Sequence, residues 1–110
     1  MALACVIVLR YHRYMIRSFG NDLAEDLFHD RQTRATRKFP PELRRSATRK
    51  LQYVNAAVVL KDLTLPPGNR LEALRGDLKG FHSIRINDQW RVVFRWRGDG
   101  ASEVKVVDYH

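Results

Sequence analysis

The stretch "EVKVVDYH" closes the sequence on Asp108, Tyr109 and His110. These are three side chains that can each exchange a proton, placed directly after a strand-like alternation. Chain ends are ordinarily frayed and chemically idle. The stretch alone therefore leaves two readings open: an exposed, solvated tail, or the end of a held strand that presents proton-transfer groups. Upstream lie cations suited to a phosphate substrate. In "QWRVVFRW" (89–96), Arg91, Val93 and Arg95 share one parity and Trp90, Val92, Phe94 and Trp96 the other. Arg85 and Asn87 share a parity in the preceding "FHSIRIN" (81–87), so one sheet face can carry several guanidiniums. Ordinary charge on a half-exposed sheet is the bland alternative. The aromatic row reads as buried against helices in preference to a stacking platform for bases.

What positions such residues is bounded by the totals. A chain of 110 residues, 45% hydrophobic, makes one domain of ordinary size with a real core. Twenty Lys and Arg against twelve Asp and Glu give +8, which favours polyanionic partners, with simple solubility as the alternative. Fifteen of the twenty are arginine, whose planar fork suits phosphate better than a lysine point charge. Cys5 is the single cysteine, which excludes an intrachain disulfide and a cysteine zinc site. The four histidines show no HxxxH or HExxH spacing, so no metal and no cofactor is expected, and a reducing cytoplasm fits best. The apolar run "ALACVIVL" is too short to span a bilayer at about 20 residues, and "RYHRY" is a poor cleavage site. We read 1–14 as an extension of a single domain covering 15–110, with an extra edge strand as the alternative. Setting Arg10 and Arg13 aside still leaves that domain strongly basic.

Along the chain, "MIRSF" (15–19) reads as a short strand broken by Gly20. Asn21 or Asp22 can then cap a helix through "LAEDLFHD", with Leu23, Leu27 and Phe28 on one face. "RQTRATRKF" (31–39), with four basic residues and no acid, reads as a solvated loop. Pro40 and Pro41 open a stronger helix, in which Leu43, Ala47, Leu51 and Val54 form the core row. Its other side carries Arg44, Arg45 and Arg49, with Lys50 nearby. "VLKDLTL" is either a helical turn or irregular packing, and "PPGN" is turn chemistry. Four strands are expected after it: "RLEALR" (70–75), "FHSIRIN" (81–87), "QWRVVFRW" (89–96) and "SEVKVVDY" (102–109). Hairpin-sized links join them. Helices first and an antiparallel meander after is an α+β fold.

The string "PPGNRLEALRGDLKGFHSIRINDQWRVVFRW", the final "VVDYH" and the opening "MIRSF" resemble the HigB branch of the RelE-like toxins, also called the plasmid maintenance or proteic killer family. The resemblance spans residues 15–110. It implies a small antiparallel sheet packed against two N-terminal helices. It also implies a ribosome-dependent endoribonuclease that cuts mRNA in the decoding site without a metal, inhibiting translation. A HigA-like helix-turn-helix antitoxin would hold it inactive.

Metal-free RNA cleavage requires a base for the 2′-hydroxyl, cations for the charge developing on phosphorus, and a proton for the leaving 5′-oxygen. By resemblance, Asp108, Tyr109 and His110 form the functional C-terminus, Arg91 matches the arginine of the family's "WR" strand, and Arg75 the basic residue before its glycine. Where some members carry a catalytic histidine this chain has Glu72, which either accepts the 2′ proton or pairs with Arg70 or Arg75. A free imidazole titrates near ~6.5 and a free phenol near ~10, so His110 suits proton transfer directly. Tyr109 would need Arg75 and Arg91 to lower its pKa, or else it stacks on a base or orients the phosphate. Asp108 is expected to align His110 or an arginine. Arg70, Arg85, Arg95, Arg44, Arg45, Arg49 and Lys50 are candidates for RNA contact; His82 is read as structural. The alternative to a nuclease is a non-catalytic, basic RNA- or ribosome-binding module of the same fold.

Overall fold

A computed structural model describes residues 16–98 and 100–109. The expected extension at 1–14, the domain start at Met15, and His110 lie outside the described residues.

The period-two alternation after residue 80 folds as read. Strands β2 (Phe81–Arg85), β3 (Trp90–Arg97) and β4 (Gly100–Asp108) form antiparallel hairpins. With the short β1 (Glu72–Ala73) they complete a four-stranded sheet of order β1-β2-β3-β4. The β2–β3 turn is fixed locally, because the Asn87 carboxamide oxygen accepts from the backbone N–H groups of Gln89 and Trp90. One parity of the sheet, including Ile84, Val92, Phe94 and Val106, is buried against the helices. The rows therefore sort as their alternation predicts, and each large aliphatic or aromatic side chain so buried contributes roughly 1.5–3 kcal/mol.

Among the described residues three helices form the layer on that side. Helix α1 (Asp22–Phe28) is capped by Asn21, whose Oδ1 accepts from Ala24 N at 3.0 Å. The same carboxamide pairs with β4 as a strand residue would: Nδ2 donates to Val106 O at 3.0 Å, and Oδ1 also accepts from Val106 N. Helix α3 (Arg44–Ala56) follows a 3₁₀ turn at Pro41–Leu43 and buries Ala47, Leu51 and Val54. These are the two helices expected. Helix α2 (Arg34–Lys38) lies where the sequence read as a solvated loop. A Thr33–Thr36 capping box starts it, buried Thr36 donates back to Arg31 O, and buried Phe39 docks its end. Among the described residues no helix is long and apolar enough to cross a membrane.

Two other expectations change. "RLEALR" shrinks to a two-residue strand, and Arg70, at φ 47° in the left-handed region, stays outside the ladder. The described part of "MIRSF", residues 16–19, makes isolated parallel bridges to β4, Ile16 with Ala101 and Phe19 with Val104. A bulge in β4 accommodates this segment: Glu103 adopts φ 51° and the register with β3 shifts between Val93 and Arg95. Ser18 Oγ and Ser18 O then accept from the N–H groups of Glu103 and Val104. Gly20 has to be bare here, since a Cβ would lie 2.9 Å from Glu103 O.

Candidate active site

Among the described residues no α-helix packs on the other parity of the sheet. Its floor is a small apolar cluster of Leu74, Phe81 and Val93, with Leu78, Val107 and Tyr109 packed around it. Register places Arg85, Arg91 and Val107 side by side across β2, β3 and β4. The arginines that shared a parity in the sequence therefore emerge together on this face.

Arg91 is the most enclosed of them, its side chain only 16% exposed. Its Nη1 donates to Ser83 Oγ at 3.1 Å and to Glu72 Oε1 at 3.3 Å. On the other side its Cζ lies 5.0 Å from the Tyr109 ring centroid. Its Nε is buried without a hydrogen-bond partner among the described residues, a desolvation the fold tolerates to hold the group in place. Glu72 reaches Arg91 because pairing with Ser83 puts it on the open face. The pairing of Glu72 with Arg70 or Arg75 is not formed. Both arginines are exposed and their side chains make no ion pair among the described residues, Arg70 turned away by its left-handed backbone.

Tyr109 N donates to Gln89 O at 2.6 Å, which extends the β3–β4 pairing one residue past the strand. The end of β4 is thus held, not a loose tail. Asp108 is not brought beside Arg91. It pairs with Trp90, which gives it the parity of the helix-covered side, and its Oδ2 accepts from Gln89 Nε2 at 2.9 Å. His82 also follows the covered parity, stacked near Phe94, and burial holds its imidazole below the usual pKa. Among the described residues no three His, Cys, Asp or Glu side chains converge.

The remaining expected RNA contacts fall into two places. Arg85 and Arg95 are on the open face, Arg85 paired with Asp88 and Arg95 with Glu103. Arg44, Arg45 and Arg49 lie in the helix layer, lining an open groove of about 750 Å³ with Phe28, Asp30 and Thr48. Arg44 is tied down by donating to Thr36 O. Lys50 is committed to the fold. Its ammonium donates to Asn69 Oδ1 at 2.6 Å, and burial, then Arg49 and Arg85, lower its pKa. Asn69 in turn donates to Leu63 O and Leu65 O, pinning the turn that leads to β1. Sequence reasoning missed Ser83 and Lys105 on the open face. The parity of "FHSIRIN" and of "VKV" would have revealed both.

Helices followed by an antiparallel sheet with a basic open face make up the domain of a RelE-like toxin. Residues 17–110 match the family described as the RelE-like toxin of type II toxin-antitoxin system HigB, and the chain belongs to it. A Vibrio cholerae protein named Toxin HigB-1 is 38% identical over 96 residues, covering 87% of this chain and 98% of that one. An uncharacterized protein of Haemophilus influenzae is 34% identical over 67 residues, 61% of this chain and 66% of its own.

Proposed function

We propose that this toxin-antitoxin toxin is a ribosome-dependent endoribonuclease that cuts mRNA in the decoding site and so stops translation. The observation that carries the reading is Arg91, held between the Tyr109 ring and the Glu72 carboxylate on the open sheet face. A guanidinium fixed in advance is what a phosphorane-like transition state needs, since no reorganisation is left for the moment of reaction. In the proposed step the 2′-hydroxyl gives its proton to a base, the O2′–P bond forms, and the P–O5′ bond breaks as the 5′-oxygen takes a proton. Arg91 faces the phosphate charge, with exposed Arg75 assisting. Glu72 is the nearest carboxylate to serve as base. Tyr109 and His110 are the proton donors, and Asp108 supports them by fixing the end of β4 through Gln89.

Arg45 and Arg49 would contact the ribosomal RNA backbone, a salt-dependent and sequence-blind interaction. The partner that restrains the toxin would be a HigA-like helix-turn-helix antitoxin, and the compartment the cytoplasm, where ribosomes work.

The test is cleavage mapping on ribosomes programmed with a defined mRNA. The wild type is expected to cut within the decoding-site codon, and Tyr109→Phe to slow cutting by about 10²–10⁴ while still binding ribosomes. A folded, ribosome-binding wild-type protein that makes no cuts would replace the nuclease with the non-catalytic binding module.

A further inference from the structure

A second group of cations stands apart from Arg91 on the same face. Arg95 Cζ lies 4.4 Å and Lys105 Nζ 5.3 Å from the centroid of one ring, that of Phe81. Phe81 belongs to the apolar floor with Val93 and Leu74, and the alkyl stems of both residues help cover it. Covering explains the stems, not the heads. Two like charges brought to one ring repel each other, and Glu103, accepting from Arg95 Nε at 3.1 Å, answers only one of them.

The Arg95 guanidinium is also oriented. Phe81 supports it, Glu103 holds its Nε, and it passes Gly80 so closely that a Cβ there would lie 3.0 Å from Nη1. Its terminal nitrogens and the Lys105 ammonium make no hydrogen bond or ion pair among the described residues. They are therefore donors placed but unused. Arg95 lies four positions from Arg91 along β3, about 13 Å at strand rise. The apolar Val93 lies between them, and roughly two nucleotides of an extended strand span such a gap.

We propose that Arg95 and Lys105 form a second phosphate subsite that binds the mRNA backbone roughly two nucleotides from the cleaved linkage, laying the strand along β3. The proposal rests on the nuclease reading and adds the direction in which substrate crosses the sheet. It makes Lys105 a substrate-binding residue and Glu103 the residue that positions Arg95.

The experiment uses programmed ribosomes and mRNAs in which one phosphate at a time, on either side of the cut, is replaced by a neutral methylphosphonate. Wild type is compared with an Arg95→Gln, Lys105→Gln double variant, which keeps polar stems over Phe81. Wild type is expected to lose about tenfold at one neutral position near two nucleotides from the cut. The double variant should already be slowed by about that factor on native mRNA and lose nothing more at that position. Arg95→Lys, which keeps the charge, should retain most of the rate and guards against misfolding as the cause. Equal losses at every neutral position in both proteins, or a double variant that cuts native mRNA at the wild-type rate, would remove the subsite and leave the nuclease standing. A wild type that cuts none of these mRNAs overturns the nuclease reading itself, and the subsite with it.

Discussion

Three arginines of the sheet and two of the helix layer are the same residue under opposite constraints. On the sheet, Arg91, Arg95 and Arg85 are each held, by Glu72 and Ser83, by Glu103, and by Asp88. Arg45 and Arg49 in α3 are exposed and make no ion pair among the described residues. A held guanidinium can meet charge at a defined point, which is what a reacting phosphate demands. A free one can only raise local potential and follow a polyanion's backbone. Charge totals cannot separate these roles; the partners can.

The contrast breaks most visibly at Arg91. Arg91→Ala is expected to lower cleavage on ribosomes by about 10²–10³ in single-turnover rate, with little change in ribosome affinity. A variant that cuts normally but binds weakly would make Arg91 another backbone contact. The helix arginines should behave the other way. Arg45→Ala and Arg49→Ala together should leave single-turnover cleavage at saturating ribosomes unchanged. They should also flatten the dependence of log affinity on log salt by about 0.7–0.9 per arginine, read from binding titrations across a salt series. The smallest effect concerns pH. Burial lowers the pKa of His82 on the covered face, so the folded state takes up fewer protons than the unfolded chain below about pH 6.5. His82 therefore contributes stability above that pH which is lost as the pH falls toward its depressed folded value. Urea midpoints at pH 7.5 and pH 5 should differ less in His82→Gln than in wild type. Over the same range the guanidiniums keep their charge, so acid should weaken the scaffold without discharging the open face.

What the sequence made legible follows from how local each signal is. The parity of "QWRVVFRW" separates the buried Val92 and Phe94 from Arg91 and Arg95, because strand alternation needs no knowledge of neighbours. The row of Ala47, Leu51 and Val54 is readable for the same reason. Helix α2 hides in a basic stretch because two threonines, not an apolar period, start it. The partner of Glu72 could not be read, since it depends on β1–β2–β3 register across nineteen positions of chain. Nor could the turning of Asp108 away from Tyr109 be weighed until Trp90 and Gln89 were seen to hold it. The bulge at Glu103 is invisible for another reason: a non-glycine residue at positive φ leaves no compositional trace.

The clasp between the first described residues and the last strand has a consequence for timing. Ser18 and Asn21 bond to β4 across eighty-five positions of chain, among the most distant pairings the domain makes. Contacts of such separation form late, because a long loop must close before they repay its entropy. While a ribosome is still making the protein, the segment at 16–21 has no strand to join, and β3 lacks the neighbour that carries Tyr109. The open face is therefore completed only when β4 joins β3, and a chain interrupted before β4 emerges would lack both that strand and Tyr109.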